Sequence, residues 1–142
     1  MTVSAILKAK DTKTITLPSS ATLAQACSFL SDNRIGTVLI VDDAKLCGIV
    51  SERDIVRIMA ASGGGALDDK VSSCMTSKLI TCTGADTVSH VMELMTNGRF
   101  RHVPIVENDK LVGIISIGDV VKYRMAEVER EAQEIRDYIS TT

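Results

Sequence analysis

One unit is written twice in this chain, and that repetition limits its possible folds more than any other feature. Gly48-Ile49-Val50-Ser51-Glu52-Arg53-Asp54 returns as Gly113-Ile114-Ile115-Ser116-Ile117-Gly118-Asp119. The offset of 65 positions holds without a gap from Thr14/Leu79 to Arg57/Lys122, and 14 of those 44 aligned pairs are identical. Matches such as Thr22/Thr87, Arg34/Arg99 and Lys45/Lys110 in one ungapped register fix the architecture as two equivalent halves. The segment ahead of each half also matches, Val3-Ser4-Ala5-Ile6-Leu7 with Val71-Ser72-Ser73-Cys74-Met75, given three extra residues in the first copy between Lys8 and Lys13.

Within each copy the pattern reads as strand, helix, strand, strand, helix. In the first, Thr14 to Leu17 is a short β-like run, and Leu23, Ala26, Cys27 and Leu30 recur at helical spacing after Thr22. Thr37–Val41 and Leu46–Val50 flank an Asp42-Asp43-Ala44-Lys45 turn as a hairpin, and a helix starts at Glu52. The second copy predicts strands at Leu79–Cys82, His102–Val106 and Leu111–Ile115, and a helix from Thr87 that stops near Gly98. Ser62-Gly63-Gly64-Gly65 reads as a flexible linker, which places the boundary between 1–66 and 67–142. One such unit leaves a sheet face bare, so two are expected to cover each other.

Ser-x-x-Asp ahead of an apolar periodic run is a helix-capping pattern and needs no ligand. The same residues also suit a nucleotide. Backbone N–H groups at a helix start attract phosphate, and a carboxylate accepts hydrogen bonds from a ribose diol. Two copies in register, each with Gly-Ile-(Val/Ile)-Ser-x-x-Asp after a Lys-Leu strand start, resemble the cystathionine-β-synthase (CBS) domain in its tandem form, the Bateman module. The resemblance spans nearly the whole chain.

What the resemblance implies is an α+β fold of two pseudo-symmetric repeats packed sheet to sheet, with clefts that take adenine nucleotides: AMP, ADP, ATP or NAD(H). Carried over by alignment, Asp119 and Ser116 would share a pocket with Thr22, Ile35 and Gly36. Asp54, Ser51 and Arg53 would share the other with Thr87, Phe100, Arg101 and His102. The aspartates would hold ribose hydroxyls, the serines or arginines phosphate, and Ile35 or Phe100 the adenine face. Arg53, Arg101 and His102 make the Asp54 pocket the richer in cations, whereas Gly118 and Gly36 leave the Asp119 pocket charge-poor. Arg34 and Arg99 are either inward-reaching or solvated helix-end cations. His90, on a helix face, is expected to be exposed and without a role.

Beyond the repeat, the last helix continues to about Ile139 with Val121, Met125, Val128, Ala132, Ile135 and Ile139 at alternating four-and-three spacing. This narrow apolar seam packs either on the chain's own body or on a second copy, and its length favours a homodimer, which CBS pairs commonly form.

Composition removes other classes. Lys plus Arg total 16 against 18 Asp plus Glu, with no basic run, and this lacks the footprint of a nucleic-acid binder. Two Phe, two Tyr and no Trp leave an aliphatic core and no stacking platform for bases. No apolar stretch approaches the roughly 18 residues of a membrane span, and Met1-Thr2-Val3-Ser4 lacks a secretory pattern, so a cytoplasmic protein is expected. Cys27, Cys47, Cys74 and Cys82 show no Cys-x-x-Cys pair or matching His spacing, which disfavours zinc or dithiol chemistry. Outside the repeat positions no catalytic constellation stands out. The leading expectation is therefore a non-enzymatic nucleotide sensor that transmits ligand state to a separate partner protein. A ligand-free structural dimer and a nucleotide-dependent enzyme are the alternatives.

Overall fold

The computed structural model describes residues 1–10 and 14–141. Its elements run α1 (Val3–Ala9), β1 (Thr16–Leu17), α2 (Leu23–Asn33), β2 (Thr37–Asp42), β3 (Lys45–Ser51), α3 (Glu52–Ser62), α4 (Val88–Gly98), β4 (His102–Glu107), β5 (Lys110–Ser116) and α5 (Ile117–Thr141). Short 3₁₀ turns at Gly63–Asp68 and Val71–Ser73 lie between α3 and α4. Positions 11–13, where the first copy's extra residues fall, lie outside the described residues.

Every helix start after α1 is set by a residue the repeat supplies. Thr22 Oγ1 accepts from Gln25 N while Gln25 returns a side-chain bond to Thr22 N, a reciprocal capping box. Thr87 does the same work for α4, its hydroxyl accepting from His90 N. Leu23, Ala26 and Leu30 on α2 and Val88, Val91 and Met95 on α4 are buried, the face that helical spacing marks. In the hairpin β2–β3, Asp43 and Ala44 hold φ of 50° and 67°, the two left-handed residues that a tight turn between twisted strands requires. Asn108 and Asp109 repeat this between β4 and β5.

The chain divides into two compact units whose boundaries differ from the repeats. One comprises 1–12, 80–105 and 112–142, the other 13–79 and 106–111. The leading segment of each copy belongs with the other copy. Val3 and Ile6 of α1 are buried among Val88, Val91, Met95, Val103, Ile105, Ile115 and Val120. Val71, their counterpart, is buried among Ala21, Leu23, Leu30, Val38, Ile40 and Val50. The backbone repeats the exchange, with Val3 N donating to Asp86 O at 2.9 Å and Val71 N to Ala21 O at 2.8 Å. Close approach of these segments explains two glycines. A Cβ on Gly113 would lie 2.5 Å from Leu7 Cδ1, and one on Gly48 would lie 2.5 Å from Met75 Sδ and 3.0 Å from Thr76 O.

Three elements depart from expectation. Leu79–Cys82 forms no strand; only Cys82 bridges to Ile105. In the first copy β1 pairs with Leu39 and Ile40, but Pro104 stands where Leu39 does and brings no N–H to the ladder. The glycine run is ordered as a 3₁₀ turn, pinned by buried Ala66, rather than open linker. α4 runs through Gly98, and the left-handed cap is Arg99 (φ 57°), as Arg34 (φ 53°) is for α2. Phe100 folds back over Gly98 and occupies the space a Cβ would need.

Candidate functional site

In the first-copy unit, β3 ends at Ser51 and α3 begins. Ser51 N donates to Asp54 Oδ2 (3.0 Å) and Asp54 N to Ser51 Oγ (3.1 Å), so the capping box is complete. Asp54 is the one buried charged residue among those described. Its other oxygen, Oδ1, accepts from Arg57 Nη2 at 2.8 Å, an i,i+3 pair with an exposed guanidinium. The carbonyl of Gly36 accepts from Glu52 N (2.9 Å), which ties the start of β2 to the start of α3.

The second-copy unit repeats this frame with a different counter-ion. Ser116 N donates to Asp119 Oδ2 (2.9 Å), Asp119 N donates to Ser116 Oγ (3.1 Å), and Arg101 O accepts from Ile117 N (2.8 Å). Lys10, the residue that ends α1, reaches across 109 positions to donate to the same Asp119 Oδ2 at 2.8 Å, and also to Ile114 O at 3.0 Å. Asp119 and Lys10 are both largely covered, with side chains about one-fifth exposed (20% and 23%). Burial raises the Asp119 pKa, but the hydrogen bonds from Lys10 and Ser116 and the Lys10 charge outweigh it and hold the carboxyl below its ordinary value. The half-buried His102 lies in the same unit. Burial lowers its pKa, Lys10 and Arg101 lower it further, and Asp119 only partly offsets them.

The expected residues thus fall at two junctions. Ser51, Asp54 and Gly36 come together in one unit; Ser116, Asp119, Arg101 and His102 lie in the other. Thr22 and Thr87 cap helices. Ile35 and Phe100 pack against the aliphatic cores of their own units. Arg53 is exposed beside Asp54, and His90 is exposed as expected. Arg34 and Arg99 are the exposed left-handed caps. Asp119, which the alignment marks as charge-poor, has a cation at 2.8 Å, as near as the Arg57 guanidinium is to Asp54, and Lys10 is a site residue that sequence reasoning missed. Its only advance signal is position, since Lys10 matches Lys78 when the leading segments are aligned. Cys82 is buried, and desolvation followed by the nearby Asp86 charge pushes its thiol up to about 11, which keeps it protonated and inert.

Two position-equivalent carboxylates, each fixed at a strand-to-helix junction by its own serine, define a tandem-repeat α+β module. The chain belongs to the CBS-domain family, whose model matches residues 3–61 and 71–126. It is 32% identical over 147 residues to the mitochondrial CBS domain-containing protein CBSX3 of Arabidopsis thaliana, covering 97% of this chain and 71% of that one. The CBS-domain protein ATU1752 from Agrobacterium tumefaciens is 41% identical with a TM-score of 0.81, over 87% of this chain and 99% of that one. The protein PAE2072 from Pyrobaculum aerophilum, solved in complex with AMP, is 30% identical with a TM-score of 0.74, over 84% and 89% of the two chains. Longer Arabidopsis relatives match over only 22% to 24% of their own length. No helix among the described residues is long and apolar enough to cross a membrane.

Proposed function

We propose that this chain is a regulatory module that binds an adenine nucleotide (AMP, ADP, ATP or NAD(H)) at its serine–aspartate junctions and passes the ligand state to a separate protein. The observation that carries this reading is the pair of position-equivalent aspartates, each oriented by its capping box yet left with acceptor capacity. Asp54 spends one lone pair on each oxygen, and Asp119 Oδ1 has no partner among the described residues. A ribose diol is the matching donor pair, and AMP bound to a relative of 30% identity supports the adenine nucleotide as its source. Exposed Arg53 and Arg101 beside the two junctions suit the phosphate. The ligand would act by its difference in affinity between two arrangements of the protein or its assembly.

Titration with AMP, ATP and NADH tests the reading. Wild type should bind, and a ligand at 100 times its dissociation constant should add roughly 2.7 kcal/mol of stability. Asp54→Ala and Asp119→Ala should each remove one class of site, and the double variant should remove both. Binding undiminished in the double variant would sink the diol grip.

A second reading, a dimerising scaffold, is favoured by the seam on α5. Val121, Met125, Val128, Ile135 and Ile139 are 45% to 65% exposed along one helix. We infer that a second copy covers them, a role compatible with nucleotide binding.

A further inference from the structure

We propose that Lys10 is the specificity-determining residue of the Asp119 site, making it select a phosphorylated nucleotide over the bare nucleoside. The inference rests on the nucleotide reading above and adds to it a reason for the two junctions to differ.

A carboxylate offers about two acceptor positions on each oxygen, and a ribose diol uses one oxygen per hydroxyl. At Asp54, Oδ2 holds Ser51 N–H and Oδ1 holds Arg57, so each oxygen keeps one position and a diol can dock with nothing displaced. At Asp119 both protein donors crowd onto Oδ2: Ser116 N–H at 2.9 Å and Lys10 Nζ at 2.8 Å. Oδ1 is open, but a diol that spans both oxygens needs one donor on Oδ2 to give way.

The two donors are not equally movable. Ser116 N–H is locked by the capping box, whose other half is Asp119 N donating to Ser116 Oγ. Lys10 is a side chain with four rotatable bonds, so it is the donor that yields. Its backbone stays near, because Val3 and Ile6 hold α1 in the core and Lys10 N donates to Ile6 O. The displaced ammonium loses both Asp119 and the Ile114 carbonyl while still mostly covered. A neutral nucleoside offers nothing in return, whereas a phosphate beside the ribose offers a new partner. Arg101, whose charge acts with that of Lys10 on the neighbouring His102 and whose carbonyl accepts from Ile117 N at this junction, strengthens the preference for an anion. The first-copy unit has no such latch. Lys78, the counterpart of Lys10, is exposed and forms no ion pair among the described residues.

The test isolates the Asp119 site in an Asp54→Ala background and measures adenosine and AMP affinities by calorimetry, with and without Lys10→Met or Lys10→Arg. Losing one partly covered ion pair should change an affinity about fivefold. Lys10→Met should tighten adenosine by that factor and leave AMP within about twofold, because AMP trades the Asp119 pair for a phosphate pair and the variant has neither. The AMP-to-adenosine preference should therefore fall roughly fivefold, while Lys10→Arg should keep it within about twofold. A preference unchanged by Lys10→Met, or both ligands weakened together, overturns the role of Lys10 while leaving nucleotide binding intact. If AMP binds Asp119→Ala but not Asp54→Ala, the Asp119 junction is not a nucleotide site and the proposal falls with that part of the reading. Should the Lys10→Met variant fail to fold, Lys10→Gln decides: it keeps a polar head for the Ile114 carbonyl but carries no charge, its AMP-to-adenosine preference should fall as for Met, and an unchanged preference overturns the proposal.

Discussion

Asp54 and Asp119 occupy the same place in their repeats but keep different company, and the difference lies in residues no short motif contains. The serine–aspartate boxes were legible because capping is a contact between positions three apart, which sequence spacing displays directly. Lys10 was not, since its bond to Asp119 joins positions 109 apart and depends on where α1 docks. His102 lies under the same influence, and its titration gives a residue-scale prediction. Burial first, then Lys10 and Arg101, lowers its pKa below the ordinary 6.5. A depressed histidine contributes stability above its unfolded pKa and loses it as pH falls through the folded value. Wild type should therefore lose stability as pH falls below about 6.5, and His102→Gln should flatten that limb. Urea midpoints across the range check this; an unchanged slope in the variant would remove His102 from the account. Asp119, lowered from 3.8, acts in the same direction but only at lower pH.

At the scale of elements, the helices were readable from their caps and buried faces, whereas β1 and its missing counterpart were not. A two-residue strand leaves little periodicity to detect, and the loss of Leu79–Cys82 as a strand turns on Pro104 opposite, a residue its own segment does not contain. The two glycines beneath the leading segments test the packing of those segments. Gly48→Ala should destabilise by about 1–3 kcal/mol, since the added methyl meets Met75 and also the Thr76 carbonyl, which is fixed by paired bonds to Ile49. Gly113→Ala should cost less, because the nearest obstacle is the end of the Leu7 side chain, which can rotate. Chemical denaturation ranks the pair, and the reverse order would contradict the contacts described.

At the scale of the whole molecule, the repeat made the two-part architecture plain, but its boundary at 66/67 marks where the copies end in sequence and not where the compact units divide. If a second copy covers the α5 seam as proposed, charge placed there should separate subunits without unfolding them. Met125→Glu combined with Ile135→Glu should halve the mass seen by sedimentation while leaving helical content and nucleotide affinity near wild type. A dimer that survives both changes would put the contact elsewhere. The traded leading segments also make the two halves depend on each other. A chain severed at the glycine run would yield two pieces, each carrying the plug that completes its sibling and lacking its own.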